Sequence, residues 1–194
     1  MPLRIPVVSL GGQYNHLISR ALSELGAESF LIPMSVTLKE VEEIGADGLV
    51  FGGGPQRIHE AFREGGLGSL PALLKEVELP SLCICAAHQL LALVHGGEVG
   101  PAARPEFGPA KIEVLEEDVI LGGLKPSFVA WESHNDEVKA LPEGFRLLAR
   151  SENCPIQAME REGKMVFGIQ FHPEVYHTRD GGKIFENFMA AVKR

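Results

Sequence analysis

A cysteine stands at the point where a short apolar run meets a helical pattern, in the segment SLCICAAHQ that begins at Ser81. A strand-to-helix turn of this kind lifts the corner side chain into the open and points the free N–H groups of the helix at it. The same N–H groups and the positive end of the helix favour a thiolate. Cys85 is therefore a candidate nucleophile, although a cysteine taken alone is more often a small buried residue.

The segment GIQFHPEV supplies the two groups that would activate such a thiol. His172 follows an apolar run, Pro173 stiffens the turn, and Glu174 lies two residues after the histidine. A carboxylate can accept from one imidazole nitrogen while the other nitrogen faces a thiol. Because all three side chains come at or just after the end of a predicted strand, the sequence predicts a Cys85–His172–Glu174 triad.

The elements that would position these residues alternate regularly through the first half of the chain. Strands are predicted at residues 4–10, 29–33, 47–51 and 81–85, and helices at residues 15–26, 37–45 and 69–78. Thr37 and Glu40 are spaced as a helix capping box. Strand and helix in alternation with short links are typical of a parallel sheet with helices on both faces. Functional loops should then gather at the carboxyl ends of the strands.

The second half of the chain is richer in strands. Short runs with turn residues between them predict strands at residues 110–116, 127–133, 145–151, 155–161 and 164–171, and a final amphipathic helix over residues 181–194. We therefore predict an α/β fold, an open and mostly parallel sheet flanked by helices with an antiparallel, strand-rich extension. We expect residues 1–194 to form one domain.

Composition excludes several functional classes. A net charge of −8 disfavours nucleic-acid binding, which needs a basic stripe. No apolar run is long enough to span a membrane, the first residues do not resemble a signal peptide, and three cysteines do not make a disulfide framework. We expect a cytoplasmic protein with reduced thiols. The seven histidines show no metal-ligand spacing, so we expect no metal.

The two motifs CICAAHQ and GIQFHPEV together resemble the class I, or triad, glutamine amidotransferases, whose fold is flavodoxin-like. More specific segments are WESHNDEV, ENCPIQAM and HPEVYHT, which resemble the stand-alone glutamine amidotransferase subunits of archaeal-type GMP synthetases. The resemblance covers nearly the whole chain, and it narrows the expected function.

The resemblance implies a glutaminase that belongs to GMP and purine biosynthesis. Cys85 would attack the side-chain amide of glutamine, and a γ-glutamyl thioester would form as ammonia leaves. The ammonia would pass to a separate ATP-pyrophosphatase subunit, which converts xanthosine monophosphate (XMP) to GMP. This chain would need no cofactor of its own, since ATP and Mg²⁺ would belong to the partner subunit.

Further site residues follow from the elbow and from the resemblance. The backbone N–H groups of Ala86 and of Gly53, in the GGGP loop, would form the oxyanion hole. By resemblance, the residues that bind glutamine would be Gly54, Gln89, Ser133, Asn135 and Asp136.

Three residues depart from the family pattern. Cys83 and Ala87 stand where relatives usually have glycine, and Ser9 stands where relatives commonly have aspartate. If Ala87 had a positive φ, we would expect about 1 kcal/mol or more of strain and a weak isolated glutaminase. Cys83 is expected to lie in the core.

Several alternatives remain open at this point. The ammonia acceptor could belong to anthranilate, aminodeoxychorismate, carbamoyl phosphate or CTP synthesis. The chain could also be a weakly active regulatory relative, or a thiol hydrolase that works without a partner. His88 could touch substrate or pack at the helix start. His134 is expected in a substrate loop or a partner contact rather than in the core, and His177 could contact a partner.

Overall fold

The computed structural model describes residues 1–194. The strands are β1 (Val7–Ser9), β2 (Leu31–Pro33), β3 (Leu49–Phe51), β4 (Ser81–Ile84), β5 (Glu98–Val114), β6 (Ser127–Ala140), β7 (Phe145–Arg150), β8 (Ala158–Arg161) and β9 (Val166–Ile169). The helices are α1 (Asn15–Glu24), α2 (Leu38–Ile44), α3 (Ile58–Arg63), α4 (Leu70–Glu76), α5 (Ala86–Val94) and α6 (Gly181–Val192), with a 3₁₀ turn at Val119–Leu121. No helix combines the length and the apolar character needed to cross a membrane.

One sheet contains all nine strands, in the order β2-β1-β3-β4-β9-β8-β7-β5-β6. The five strands from β2 to β9 pair in parallel, and the four from β8 to β6 continue the sheet with antiparallel pairs. This arrangement confirms the predicted parallel sheet with an antiparallel extension. The strand β9 comes late in the sequence but lies at the centre of the sheet, directly beside β4.

The sheet divides the apolar interior into two layers. Ile18 of α1 and Phe185 of α6 pack in one layer, whereas Leu74 of α4 and Leu90 of α5 pack in the other. Cys83 is fully buried in the second layer, which confirms its predicted place in the core. Helices on both faces are expected of a parallel sheet, because each strand then has no solvent-exposed side.

Most elements lie within the predicted ranges, and Thr37 and Glu40 form the predicted capping box at the start of α2. The helix α3 was not predicted, because its six residues carry too little helical pattern to be recognised. The strand β5 begins at Glu98 rather than near residue 110, and β6 continues past Ser133 to Ala140. Glycine and proline make the start of β5 read as a loop, whereas pairing with β6 holds it extended, with a register shift between Pro101 and Glu106.

Candidate active site

The cysteine elbow lies where β4 meets α5. Cys85 has φ 54° and ψ −108°, and no other non-glycine residue has a positive φ. Such a conformation costs about 1–3 kcal/mol and persists only where the surroundings impose it. Here the N–H of Cys85 donates to the carbonyl of Ile169 in β9 at 2.8 Å, and its carbonyl accepts from the N–H of Gln89 at 3.1 Å. The elbow is therefore tied to the central strand and to the first turn of the helix.

The strain expected at Ala87 is not present there. Ala87 lies inside α5, without a positive φ, and is buried. The prediction was wrong because the cysteine itself makes the turn, and two residues later the chain is already helical. A methyl group at Ala87 therefore demands no unusual backbone conformation.

The histidine and glutamate of the predicted triad are joined directly. Nδ1 of His172 lies 2.7 Å from Oε1 of Glu174, and both side chains are nearly buried. The backbone of His172 is fixed from two sides, since its N–H donates to the carbonyl of Trp131 and its carbonyl accepts from the hydroxyl of Thr178. The same hydroxyl accepts from the N–H of Trp131 at 2.9 Å. The imidazole is thus held in one orientation by β6 and by the loop before α6.

The charge state of His172 depends on Cys85. Burial alone lowers the pKa of His172, but the negative charge of Cys85 and hydrogen bonds with Cys85 and Glu174 outweigh burial and raise it to about 11. An imidazolium is therefore maintained beside the sulfur at neutral pH. A charged imidazole at this position favours the thiolate form of a neighbouring nucleophile.

The glycine loop after β3 packs tightly against the loop after β1. A Cβ on Gly53 would lie 3.5 Å from His172 Cε1 and 3.6 Å from Cys85 Cβ, so Gly53 faces both triad side chains across a gap of about one methyl group. The carbonyl of Gly53 accepts from the N–H of Gly12 and from Nδ2 of Asn15, each at 3.0 Å. Because a Cβ on Gly12 would lie 2.5 Å from that carbonyl oxygen, only glycine permits this approach.

Asn15 was not predicted to belong to the site, since its helix-start position explained it fully. Its Nδ2 group also donates to the hydroxyl of Ser9 at 2.9 Å. The serine that departs from the family pattern therefore still accepts a hydrogen bond that holds the glycine loop.

All ten predicted site residues meet at one cavity of about 430 Å³. They are Gly53, Gly54, Cys85, Ala86, Gln89, Ser133, Asn135, Asp136, His172 and Glu174. They come from the loops after β3, β4 and β9, from the start of α5 and from the middle of β6. The cavity therefore places a nucleophile, a charged imidazole and two sets of polar groups within reach of one small ligand.

A row of buried amides runs behind the sulfur. Nε2 of Gln89 donates to the carbonyl of Asp136 at 2.7 Å and to Oε1 of Gln170 at 3.1 Å. Nε2 of Gln170 points at Sγ of Cys85, 3.6 Å away. Gln170 directly follows β9 and is fully buried, and it was missed because in the sequence it stands inside an apolar run.

His134 does not have the exposed position that was expected. Its side chain is only 1% exposed, with Nδ1 3.0 Å from the carbonyl of Asp136 and Nε2 3.1 Å from Oε2 of Glu106. Glu106 also accepts from Ser151 and Gln157. His134 is therefore buried, and its contact with Glu106 joins β6 to β5. Of the two roles expected for it, a partner contact is ruled out by burial, whereas a place in the substrate loop agrees with its position in the cavity wall.

Two further groups border this buried network. Glu132 is fully buried with no hydrogen-bond partner, and burial together with the charge of Glu106 raises its pKa well above the ordinary range. Glu106, His134 and Cys154 bring one donor atom each within 4.8 Å of one another. Each of these three donors already has a protein partner, since the Cys154 thiol donates to the carbonyl of Ile156. A hydrogen-bonded network accounts for the cluster, and the absence of a metal stays a prediction.

The remaining histidines lie outside the cavity. His88 is fully buried, with Nε2 3.2 Å from the carbonyl of Ile156, and burial lowers its pKa to about 3. It therefore packs inside rather than touching substrate. His177 stacks on Trp131 with ring centroids 4.3 Å apart, next to the turn that carries His172.

Comparison with known proteins gives matches over nearly the whole chain. Residues 7–192 match the family model for glutamine amidotransferase class-I. The chain is 45% identical over 192 residues to a Sulfolobus acidocaldarius protein named as a glutamine-hydrolyzing GMP synthase subunit, covering 99% of this chain and 100% of that protein. It is also 45% identical over 192 residues to the protein of the same name from Ignicoccus hospitalis, with the same coverage.

Solved structures agree with these matches. A crystal structure of a Thermoplasma acidophilum protein, described as a GMP synthase subunit, aligns with a TM-score of 0.92 and 38% identity. The alignment covers all of this chain and 95% of that one.

Proposed function

Because this chain belongs to the class-I glutamine amidotransferase family, we propose that it is the glutamine-hydrolysing subunit of a GMP synthase. The observation that carries the proposal is the meeting of Cys85, His172 and Glu174 at one cavity, within a chain that matches proteins named as glutamine-hydrolyzing GMP synthase subunits over their full length. The function belongs to GMP and purine biosynthesis, and its product for the partner is ammonia.

The chemistry begins with the ionised sulfur. Cys85 attacks the γ-carboxamide carbon of glutamine, and the carbonyl oxygen becomes an oxyanion. The backbone N–H groups of Gly53 and Ala86 stabilise that charge, since the first N–H groups of a helix have no intrahelical partners. His172 then donates its proton to the leaving nitrogen, the C–N bond breaks, and ammonia departs from a γ-glutamyl thioester.

Hydrolysis of the thioester restores the site. His172, now neutral and oriented by Glu174, takes a proton from water while the water oxygen attacks the thioester carbon. The C–S bond breaks, glutamate leaves, and the thiolate–imidazolium pair re-forms. Glutamine is bound in this scheme by Gly54, Gln89, Ser133, Asn135 and Asp136.

The proposal includes a partner and a compartment. Ammonia passes to an ATP-pyrophosphatase subunit that activates XMP with ATP and Mg²⁺, so this chain itself carries no cofactor. A cytoplasmic location agrees with three cysteines that are all free, one of which must stay reduced to react.

The test is ammonia release from glutamine, measured with and without the synthetase subunit, ATP and XMP. We expect the complete system to form GMP from glutamine, and Cys85→Ala to abolish this activity while GMP formation from added ammonium chloride continues. Cys83→Ala is the matched control, because that thiol is buried in the other core layer. Full glutamine-dependent activity in Cys85→Ala would contradict the proposal.

The same experiment separates the alternatives. Glutaminase activity that rises with a chorismate-using subunit instead would indicate another acceptor. A partner-independent rate would favour a hydrolase, and failure of a glutamine-like electrophile to label Cys85 would favour a regulatory relative. The full-length match to subunits of GMP synthase supports the proposed GMP synthase function over another acceptor, a hydrolase or a regulatory relative.

A further inference from the structure

The cavity that holds Cys85 is lined by one side chain that carries a permanent positive charge. Of the twenty residues that line it, Arg57 is the only arginine or lysine. Arg57 directly follows the glycine loop and is the residue before α3, so its backbone is anchored close to Gly53 and Gly54. Sequence patterns did not single it out, because an arginine at the start of a short helix is ordinarily a solvated surface group.

The guanidinium of Arg57 lies at the mouth of the cavity, where Nη1 pairs with Glu60 at 2.9 Å and the other nitrogens face Asp136. Nη2 lies 3.0 Å from Oδ1 of Asp136, and Nε lies 3.4 Å from Oδ2. The side chain of Asp136 is only 6% exposed, whereas that of Arg57 is 50% exposed. The carboxylate is therefore fixed within the cavity wall, with Nδ1 of His59 3.2 Å from Oδ2, and the arginine spans from the surface to reach it.

The carboxylates of the cavity are equally few. Only Asp136 and Glu174 line it, and Glu174 is committed to His172 at 2.7 Å. Asp136 is thus the one lining carboxylate outside the triad that could meet a cation of the ligand, and Arg57 is the one lining cation suited to a carboxylate of the ligand. Arginine holds a carboxylate through two parallel N–H donors, which fixes orientation as well as charge.

We propose that Arg57 and Asp136 together recognise the amino-acid end of the substrate. Arg57 binds the α-carboxylate and Asp136 binds the α-ammonium, while the amide end lies at Cys85. Without substrate, Arg57 and Asp136 form an ion pair with each other. When glutamine binds, each of them pairs instead with one charged group of the ligand. This inference rests on the proposed function, since it assumes that the ligand is glutamine.

The specificity that follows is for a free amino acid. A ligand that lacks either charged group leaves one of the pair without its partner, and a peptide-bound glutamine lacks both. Arg57 is in this view a specificity-determining residue, whereas the triad would act on any amide that reached it.

Two analogues test the assignment. 4-Aminobutanamide has the amide and the ammonium of glutamine but no carboxylate, and 5-amino-5-oxopentanoate has the amide and the carboxylate but no ammonium. We expect Arg57→Gln to lower kcat/KM about 10- to 100-fold for glutamine and for 5-amino-5-oxopentanoate, and to leave 4-aminobutanamide unchanged. Asp136→Asn should lower kcat/KM for glutamine and for 4-aminobutanamide, and it should leave kcat/KM for 5-amino-5-oxopentanoate unchanged. All measurements use the full chain with the synthetase subunit, ATP and XMP.

The controls separate recognition from a structural role. If Arg57 merely held Asp136 in place, Arg57→Gln would reduce activity on 4-aminobutanamide as much as on glutamine, and this result would overturn the proposal. Arg57→Lys should lower kcat/KM for the two substrates that carry a carboxylate, but by less than Arg57→Gln does. Lysine keeps the charge of arginine but not its two parallel donors. Arg63→Gln, on the same helix, exposed and away from the cavity, should leave all three substrates unchanged.

A binding measurement keeps the inference distinct from the proposed function. In a Cys85→Ala background, calorimetry reports binding of glutamine and of both analogues without turnover. We expect Arg57→Gln to weaken binding only of the two ligands that carry a carboxylate. That pattern would support the assignment even if no GMP formed from glutamine. Glutamine binding unaffected by Arg57→Gln, or no binding at all, would overturn it.

Discussion

At the scale of single residues, the site depends on a cysteine that is strained and lies beside a charged imidazole. Cys85 adopts a positive φ, which is rare for a residue that has a side chain. The same turn places the sulfur at the start of α5. Cys85 and Glu174 together raise the pKa of the neighbouring His172, so its imidazole is positively charged at neutral pH. One backbone turn therefore determines both the strain at Cys85 and the charge of His172.

This dependence predicts the titration of His172. In the native protein we expect its ring protons in NMR spectra to titrate near pH 11, and in Cys85→Ala the midpoint should fall by several units, because burial then acts without the thiolate. His88, whose pKa is about 3, serves as an internal control that the substitution should not move. An unchanged His172 midpoint in Cys85→Ala would show that the sulfur is not the source of the shift.

The same raised pKa has a consequence for stability. A histidine whose pKa is higher in the folded state than its ordinary value near 6.5 stabilises the fold fully below that pH. The contribution is lost as the pH rises towards about 11. The free energy of unfolding should therefore decline more steeply in alkali for the native protein than for Cys85→Ala.

At the scale of elements, the start of α6 supports the turn that carries His172. A Cβ on Gly181 would lie 1.9 Å from the carbonyl oxygen of Pro173, so the helix and the turn are in backbone contact. The N–H of Gly181 donates to the carbonyl of Thr178, whose hydroxyl holds His172. The last helix of the chain thus helps to position the triad without touching substrate.

We expect Gly181→Ala to move the turn and to lower kcat at least 10-fold, since a misplacement of 1 Å at a catalytic group can cost about 100-fold. Gly182→Ala is the matched control, because a Cβ there meets nothing within 4 Å. In a helix that change should leave activity intact and raise stability by about 0.5–1 kcal/mol. Equal activities of the two variants would show that the helix does not position His172.

The order of strands and helices in the first half of the chain could be predicted, because apolar periodicity and caps such as Thr37 are local. The triad could be predicted for a similar reason, since each member follows a recognisable strand. Arg57, Gln170 and the Glu106–His134 pair could not be predicted in the same way. Their roles depend on which distant strands meet, and a polar residue in a strand or at a helix start has no local signature for that.

At the scale of the whole molecule, an aromatic row leads from the surface to the site. Tyr176 is 91% exposed and lies edge-on to His177, which stacks on Trp131. The carbonyl of Trp131 in turn accepts from the N–H of His172. Phe107, 64% exposed, lines the cavity itself. Because these exposed aromatic side chains lie beside the cavity, we expect the synthetase subunit to cover this side.

Tyr176→Ala should weaken binding of the synthetase subunit by about 10-fold or more, as loss of a large aromatic contact often does. The free energy of unfolding of the isolated chain should change by less than about 0.5 kcal/mol, since the side chain packs on little else. Leu31→Ala, on β2 at the far edge of the sheet, should leave the affinity unchanged. Titration calorimetry measures this affinity. An unchanged affinity for Tyr176→Ala would show that the loop is not part of the contact surface.

The central place of β9 also governs when this protein can form during its synthesis. Val166–Ile169 are made long after β4, yet they fill the gap between β4 and β8. Until they leave the ribosome, the edge of β4 has no partner and the carbonyl of Ile169 cannot bind the N–H of Cys85. A nascent chain that carries the cysteine therefore cannot yet hold it in the reactive turn. The thiol can therefore reach its reactive conformation only after β9 has been made, well after the cysteine itself.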